Sequence, residues 1–351
     1  MMKASIIIPA YNAEKSLEAA VLSAVQPAPP FPFEVLVVDD GSTDRTPELI
    51  ADLSARYPAV RGILQENSGP AAARNRALRE AKGEYVLFCD SDDAFLPGAV
   101  ERAVLLAEQA GAEVLIFGYA LIQDGVRSDY AYPQAVSEEK GRWQEHFAPL
   151  YRANMLNQVW GKVFAASLLK REGIEFPLMM WGEDRMFVFS AIEKASRVAV
   201  SSQVLYSYIL QKSSLITRFD PQKAEACRQI YRRTESLAAR WELHSPESEE
   251  ILSYMYVKSL LSVFATLYSD SCPYSYREKR RFARQVLAQE EIDRARRFPS
   301  SSGRAFQIAA RILKTKNVTA NLLVAWGMKK VSVWMPHLFR KAKHAYNKGE
   351  K

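Results

Sequence analysis

Segments of strand length that are rich in apolar residues alternate with helical patterns along about the first hundred residues, and this alternation constrains the fold. The candidate strands are Ser5–Ile8, Glu34–Val38, Val60–Leu64, Glu84–Cys89 and Glu113–Phe117. Between them, apolar residues recur at helical spacing, so each intervening helix has one stripe to bury. Strands that alternate with helices predict an α/β fold with a mostly parallel sheet flanked by helices.

The strand patterns stop after about Asp220, and long helical patterns follow. One helical face, for example, carries Leu252 and Tyr256. A chain of 351 residues is long enough for more than one hydrophobic core. We therefore expect an α/β domain over residues 1–219 and an all-helical C-terminal region over residues 220–351.

Acidic residues follow two of the candidate strands and open a later helical pattern. Asp90 and Asp92 follow the apolar run Tyr85–Cys89, and Asp40 follows an earlier apolar run. Glu183 and Asp184 begin a helical pattern farther along the chain. Because an open α/β sheet binds ligands at the carboxyl ends of its strands, these acids predict a site for a cation, a nucleotide or both.

Asp92 is the candidate metal ligand. Carboxylates and phosphates repel each other, so a sheet edge of this kind can hold a phosphate only if a divalent cation lies between them. Mg²⁺ and Mn²⁺ prefer one or two carboxylates together with phosphate oxygens of the substrate. An Asp-x-Asp sequence also occurs in loops and helix caps, and a purely structural role is the alternative.

Three further residues suit binding or catalysis, each with a structural alternative. Asp40 can accept the N–H of a nucleobase, although its Asp-Gly-Ser-Thr-Asp context is also good turn and N-cap chemistry. The carboxylate of Asp184 can simply interact favourably with the helix dipole. However, the apolar run Leu178–Trp181 beside it would partly desolvate this carboxylate and make it a better base. Arg74 suits either a diphosphate or a structural position.

Positive charge is concentrated near the C-terminus. From residue 301 onward, eleven Lys and Arg residues face Glu350 alone, whereas the whole chain has a net charge of +7. Such a basic segment suits nucleic acid or an anionic membrane surface. Four aromatic residues among these lysines and arginines favour binding at a membrane interface, and RNA is the least favoured partner. The alternative is a solvated helical face that binds neither. These aromatic residues are Trp326, Trp334, Phe339 and Tyr346.

Cysteine usage and the N-terminus both predict a cytoplasmic protein. The three cysteines are widely separated and form no zinc-binding spacing with the four histidines. The first apolar stretch is too short for a secretory signal, and no apolar run reaches membrane-spanning length. If the basic tail binds lipid, the protein is peripheral at the inner face of the cell membrane.

Taken together, five ordered motifs closely resemble glycosyltransferase family 2, over roughly residues 3–215. The segment Val159–Phe164 also resembles bacterial members that build capsule, exopolysaccharide or lipopolysaccharide. Two departures are Arg76-Ala77-Leu78, where many members have a glycine, and Asp93, a third carboxylate beside the expected metal site. The five motifs are Ile8–Asn12, Val37–Asp44, Gly69–Asn75, Asp90–Asp93 and Gly182–Asp184.

The resemblance implies a GT-A fold and an inverting glycosyltransferase that needs a divalent cation, Mn²⁺ or Mg²⁺. Its donor would be a nucleotide-sugar, expected to be a UDP-sugar, and its acceptor a hydroxyl of a glycan or lipid-linked molecule. Carried over by residue, Asp184 is the base and Asp92 holds the metal. The donor would also be bound by Pro9, Tyr11, Asp40 and Asp90.

Two other functional classes compete with this interpretation. Phosphoryl transfer fits poorly, because Asp39 and Asp40 are adjacent where an aspartyl-phosphate loop needs acids separated by one residue. The second alternative is a catalytically weak or inactive member that acts as a membrane-surface scaffold of a polysaccharide assembly complex. The presence of Asp40, Asp92 and Asp184 together favours an active enzyme.

Overall fold

The computed structural model describes residues 1–132, 136–139, 143–210, 218–295, 298 and 302–334. The chain divides into two compact units. The first comprises Met1–Gln144 and Met155–Gln211, and the second comprises Glu145–Asn154 and Lys212–Lys351.

One mixed sheet of ten strands, within the described residues, forms the centre of the first unit. The strands are β1 (Ala4–Ala10), β2 (Phe33–Asp40), β3 (Val60–Gln65), β4 (Tyr85–Phe88), β5 (Ala94–Phe95), β6 (Val114–Gln123), β7 (Val126–Tyr130), β8 (Val136–Glu139), β9 (Lys162–Ala165) and β10 (Arg197–Ile209). From one edge, the strand order is β3-β2-β1-β4-β9-β6-β10-β5, with β7 paired to β6 and β8 paired to β10.

Parallel pairing dominates the N-terminal half of the sheet. β1 pairs in parallel with β2 and β4, and β2 pairs in parallel with β3. β9 then runs antiparallel between β4 and β6, after which β6 and β10 are parallel. Because β1, β2 and β4 run in the same direction, their carboxyl ends meet at one edge of the sheet.

Helices pack beside the sheet in the first unit. α1 buries Leu17, Val21 and Ala24 at helical spacing, as its apolar stripe predicts. α3 begins with Pro70 directly after Gly69, whose φ of +87° turns the chain into the helix. The helices of this unit are α1 (Leu17–Val25), α2 (Thr46–Arg56), α3 (Pro70–Glu80), α4 (Ala99–Ala110), α6 (Ala166–Arg171) and α7 (Glu183–Lys194), whereas α5 (Phe147–Arg152) belongs to the second unit.

The described residues of the second unit are helical, and α9 packs against α5, α8 and α13. Tyr256 of α9 stacks on Tyr231 of α8, with ring centroids 4.3 Å apart. α10 begins with a capping box in which Ser275 and Glu278 bond each other's backbone. The helices are α8 (Gln222–Arg240), α9 (Pro246–Thr266), α10 (Tyr276–Leu287), α11 (Glu291–Arg294), α12 (Arg304–Lys314) and α13 (Val318–Trp334).

The predicted α/β class and helical C-terminal region are confirmed, and the five predicted strands correspond to β1, β2, β3, β4 and β6. The antiparallel strands were not predicted, since β5 and β9 have only two and four residues and carry little periodicity. None of the helices in the described ranges is both long and apolar enough to cross a membrane. The last part of the predicted basic tail, residues 335–351, lies outside the described residues.

Candidate functional site

Most of the predicted site residues lie at the edge of the sheet where β1, β2 and β4 end. Asp40 is the last residue of β2, and Tyr11 follows the last residue of β1. The parallel register places Ala10 beside Asp39, so Tyr11 and Asp40 leave the sheet at neighbouring positions. Pro9 is half-buried, whereas Tyr11 is 52% exposed and its ring is accessible to a ligand.

Hydrogen bonds join the loop after β1 to the loop after β2. The Asn12 side-chain oxygen accepts from the Thr43 N–H at 2.8 Å, and the Asn12 N–H donates to Ser42 Oγ at 2.9 Å. Gly41 has a φ of +72°, and a Cβ there would lie 2.8 Å from the Asn67 backbone nitrogen. The acidic motif after β2 therefore requires glycine at position 41, because a side chain there would collide with the Asn67 backbone and the positive φ would be unfavourable.

Asp40 fixes the loop that leads into α3. Its Oδ1 accepts from Gln65 Nε2 at 2.7 Å and from the Ser68 N–H at 2.9 Å, and its Oδ2 accepts from the Gly69 N–H at 2.8 Å. A carboxylate offers about four acceptor positions, so roughly one, on Oδ2, is left for a ligand. This structural role of Asp40 toward α3 was not visible in the sequence.

Arg74 of α3 brings together carboxylates from two distant segments. Its Nη2 donates to Asp90 Oδ1 at 2.8 Å, and its Nη1 donates to Asp184 Oδ1 at 2.9 Å and to Glu183 Oε1 at 3.5 Å. The Arg74 side chain is 5% exposed, against 29% for Asp90 and 18% for Asp184. We call Arg74, Asp90, Glu183 and Asp184 the Arg74 cluster.

Asn75 positions the segment that precedes α7. Its Nδ2 donates to the Phe176 carbonyl at 2.8 Å, and its Oδ1 accepts from the Phe176 N–H at 2.8 Å. The Phe176 ring stacks on Phe187 of α7 at 4.0 Å, and Phe88 at the end of β4 packs edge-on against both rings. The Arg74-Asn75 pair therefore joins α3 to α7 through both ion pairs and backbone hydrogen bonds.

The two acids at the start of α7 have raised pKa values. Burial raises the pKa of Asp184 above its ordinary value, an effect that Arg74 opposes. Burial and the neighbouring Asp184 raise the pKa of Glu183 to about 7. The Arg74 guanidinium, which donates to Asp184 Oδ1 at 2.9 Å, keeps this carboxylate in place. A carboxylate that is held by fixed donors and has a raised pKa suits proton abstraction near neutral pH.

Asp92 and Asp93 have opposite environments. Asp92 is exposed in the turn after β4. Asp93 is 2% exposed, and its oxygens accept from the Tyr206 hydroxyl at 2.9 Å and from the Ile209 N–H at 2.8 Å. Burial, with Asp90 nearby, raises the pKa of Asp93 to about 9. The extra carboxylate noted in the sequence therefore anchors the end of β10.

The turn after β4 has donors of the type that a hard divalent cation needs. Mg²⁺ often takes only one or two carboxylates and completes its shell with water and substrate phosphates. Asp92 is exposed, and Asp90, two residues before it, is 29% exposed. Across the described ranges, no group of three or more metal-ligating side chains occurs, so a cation here would need oxygens from a ligand.

Two residues near the cluster had no role assigned from the sequence. Lys162, at the start of β9, is 1% exposed, and burial lowers its pKa to about 7 while Asp184 opposes that shift. The Tyr206 hydroxyl accepts from the Asp90 N–H at 3.1 Å. A lysine between apolar residues indicates burial, but the strands that flank Lys162 in the sheet, β4 and β6, are distant from it in sequence.

Comparison with known proteins gives a family match and several relatives. Residues 5–176 match glycosyl transferase family 2. Poly(ribitol-phosphate) beta-N-acetylglucosaminyltransferase TarS of Staphylococcus aureus (strain Mu50 / ATCC 700699) is 33% identical over 215 residues, which are 60% of this chain and 36% of TarS. The chain thus spans about a third of the length of that relative. The glycosyltransferase EpsJ of Bacillus subtilis (strain 168) is 26% identical over 83% of this chain and 85% of its own.

Solved structures show the same fold. TarS 1-349 of S. aureus in complex with UDP-GlcNAc matches with a TM-score of 0.64 and 22% identity, over 94% of this chain and 92% of that chain. The mannosyltransferase PcManGT of Pyrobaculum calidifontis, in complex with GDP-Man and Mn²⁺, matches with a TM-score of 0.51 and 18% identity, over 93% and 86% of the two chains. The predicted GT-A fold is confirmed.

Proposed function

Because residues 5–176 match glycosyl transferase family 2, we propose that this protein is an inverting glycosyltransferase of bacterial surface polysaccharide synthesis. It transfers a sugar from a UDP-sugar to a hydroxyl of a glycan or lipid-linked acceptor. The Arg74 cluster carries the proposal, because one guanidinium joins Asp90 at the end of β4 to Asp184 at the start of α7. The donor class is supported by the complex of TarS with UDP-GlcNAc.

Asp184 is the general base in this reaction. Its carboxylate removes the proton of the acceptor hydroxyl while that oxygen attacks the anomeric carbon of the donor sugar. The new C–O bond forms opposite the bond to the diphosphate, which breaks and leaves its electron pair on the nucleoside diphosphate. One displacement inverts the anomeric centre, and the proton on Asp184 passes to solvent.

Arg74 holds the base in a fixed relation to the donor side of the site. Its two terminal nitrogens bond Asp184 and Asp90, at 2.9 and 2.8 Å, so the proton acceptor and the strand-end carboxylate move as one body. Holding the base and the donor in a fixed relative position increases the rate of transfer, because the reacting groups need not reach the productive geometry by diffusion. The proposal also includes a direct contact between the Arg74 guanidinium and the diphosphate of the donor.

The nucleoside binds at the ends of β1 and β2. The exposed Tyr11 ring offers a face for stacking on the base, and the half-buried Pro9 lines the same edge. The remaining acceptor position on Asp40 Oδ2 suits the N–H of uracil. Asp90 lies beyond Asp40 along the edge and contacts the ribose or the sugar.

A divalent cation, Mn²⁺ or Mg²⁺, fits the turn after β4. Asp92 would hold this cation, because Asp92 is exposed and lies two residues after Asp90. When bound, the cation supplies positive charge that offsets the charge developing on the departing diphosphate. The solved structure of PcManGT in complex with GDP-Man and Mn²⁺ supports a cation in a protein of this fold.

Release of nucleoside diphosphate from a panel of nucleotide-sugars, with Mn²⁺, Mg²⁺ or EDTA, tests the proposed reaction. We expect cation-dependent release with a UDP-sugar. Asp184→Asn should keep donor binding in calorimetry and lose transfer by about 10²- to 10⁴-fold, the range for removal of a general base. Asp52→Asn, at an exposed position of α2, is the control.

Two results would contradict the assignment. Normal turnover by Asp184→Asn would remove Asp184 as the base. Donor binding by the wild-type protein without release from any donor would favour the inactive scaffold instead.

The second unit contacts the cytoplasmic face of an anionic membrane in this proposal. α13 exposes Leu323 and Trp326, by 63% and 50%, and Lys330 lies 5.9 Å from the Trp326 ring centroid. α10 packs against α13 and exposes arginines at positions 277, 281 and 284, which lie on one helical face. Exposed apolar and aromatic side chains beside cations suit the lipid headgroup region.

Sedimentation with vesicles tests the membrane contact. The double variant Leu323→Ser/Trp326→Ser should bind vesicles of phosphatidylcholine and phosphatidylglycerol at least tenfold more weakly than the wild type. Leu64→Ser/Val126→Ser, at exposed apolar positions of the first unit, should bind normally. Equal binding by both double variants would exclude α13 as the contact. Truncation should begin at residue 335, because removal of α12 and α13 would also remove core residues such as Leu313.

A further inference from the structure

Tyr206 of β10 is a buried tyrosine whose hydroxyl connects the two ends of the turn after β4. The hydroxyl accepts from the Asp90 N–H at 3.1 Å and donates to Asp93 Oδ2 at 2.9 Å. The turn is also closed on itself, because the Asp93 N–H donates to the Asp90 carbonyl at 3.1 Å. Asp90 and Asp93 are therefore joined once through their backbones and once through the Tyr206 hydroxyl.

Packing fixes the position of the Tyr206 ring. The residue is 0% exposed, and its ring stacks on the Trp160 ring with the centroids 4.7 Å apart. The Phe95 ring of β5 contacts it edge-on at 5.5 Å, and Phe95 is also its register partner in the antiparallel pairing of β5 with β10. Because closely packed rings in a protein interior have little freedom to move, the hydroxyl is a fixed point to which the turn is attached.

Two further hydrogen bonds hold the ends of the turn. Asp93 Oδ1 accepts from the Ile209 N–H at 2.8 Å, and Asp90 Oδ1 accepts from Arg74 Nη2 at 2.8 Å. The exposed Asp92 lies between these two anchored residues. A residue inside a four-residue turn with both ends anchored has few backbone conformations, so the anchors set the direction of the Asp92 side chain.

We propose that Tyr206 is a positioning residue for the cation site at this turn. Its hydroxyl holds Asp90 and Asp93 in the arrangement that presents the Asp92 carboxylate to a divalent cation. Groups that orient the ligands of a metal in this way change its affinity by about 10- to 100-fold. The inference rests on the proposed function and adds to it a residue that is 116 positions from Asp90 in sequence.

Tyr206→Phe, measured in the full-length protein, tests the proposal, because it removes the hydroxyl and keeps the ring. Calorimetry gives the affinity for UDP in EDTA and the affinity for Mn²⁺ in the presence of UDP. We expect the first to stay within about twofold, whereas the second falls about 10- to 100-fold. Excess Mn²⁺ should restore most of the rate of UDP release from the donor, because a higher concentration compensates for weaker binding.

Tyr119→Phe is the matched control. Tyr119 is the register partner of Tyr206 on β6, is 8% exposed, and contacts the same Trp160 ring at 4.9 Å. Its substitution also removes one hydroxyl from a buried tyrosine, and it should leave the Mn²⁺ affinity unchanged. A merely structural role of the Tyr206 hydroxyl predicts a lower folded fraction of Tyr206→Phe with wild-type Mn²⁺ affinity, and that result would overturn the proposal. Equal losses of Mn²⁺ affinity in both variants would also overturn it.

Hydrogen exchange of the Asp90 amide, followed by nuclear magnetic resonance without cation or nucleotide, measures the hydroxyl contact itself. This amide should be protected in the wild type and in Tyr119→Phe, and it should exchange at least about tenfold faster in Tyr206→Phe. Equal protection in all three proteins would show that the hydroxyl does not hold the turn, and would overturn the inference.

The inference and the proposed function fail differently. Wild-type Mn²⁺ affinity in Tyr206→Phe defeats only the role of Tyr206. A wild type that binds Mn²⁺ with UDP, but releases nucleoside diphosphate from no donor, defeats only the function. A wild type that does not bind Mn²⁺ in the presence of UDP defeats both the cation site and the role of Tyr206.

Discussion

Arg74→Met should destabilise the first unit mainly at high pH. The substitution keeps most of the buried stem but leaves the carboxylates of Asp90, Glu183 and Asp184 without their shared cation. Removing one partner of a buried ion pair costs about 3–5 kcal/mol. Since Asp90 is 29% exposed and partly solvated, we expect about 3 kcal/mol at pH 8.

The pH dependence follows from the raised pKa values of the two acids on α7. Both Asp184 and Glu183 have folded-state pKa values above their ordinary values, with that of Glu183 at about 7. Their ionisation therefore opposes folding progressively between the ordinary carboxyl pKa and about pH 7. Loss of Arg74 raises these pKa values further and makes the penalty larger. At pH 5 protonation relieves much of the repulsion, and the cost should fall to about 1–2 kcal/mol.

Amide hydrogen exchange of β1 and β4 in urea measures the unfolding free energy of the first unit alone, at pH 5 and pH 8. Arg76→Met is the control, because Arg76 is on the same helix but its side chain is 52% exposed and pairs with Glu80, one turn along that helix. That variant should change the free energy by less than about 0.5 kcal/mol. A cost for Arg74→Met below about 1 kcal/mol at pH 8, or a cost that is larger at pH 5, would refute the electrostatic account.

Three shorter predictions concern neighbouring residues. Glu183→Gln removes the like charge beside Asp184, so the acid limb of the pH–kcat profile should move to lower pH, and a shift to higher pH would contradict the coupling. Asn75→Ala loses both hydrogen bonds to Phe176 and should cost about 1–3 kcal/mol in urea unfolding, with kcat reduced more than donor affinity. Tyr11→Ala should weaken calorimetric donor binding about 5- to 10-fold, whereas Tyr11→Phe should bind normally if the ring stacks on the base.

The sequence contains enough local information to predict the sheet edge where the site lies. Alternating strands and helices require parallel pairing, and parallel pairing brings the ends of β1, β2 and β4 together. The residues at those ends are therefore identifiable from the sequence, and so is the start of α7 at Glu183. The antiparallel strand β9 was not, because its four residues form a strand only between β4 and β6.

Interactions that depend on this non-local pairing could not be predicted. Arg74 and Asp184 are 110 residues apart in sequence, and nothing in the local pattern of either residue indicates the other. Similarly, a lysine in an apolar run is ordinarily unfavourable inside a protein, because a buried ammonium needs partners. Lys162 is accommodated because the loop before it folds back and supplies two carbonyls as hydrogen-bond acceptors. A buried lysine at the start of a short strand therefore requires a fixed set of acceptors, and only the folded chain supplies them.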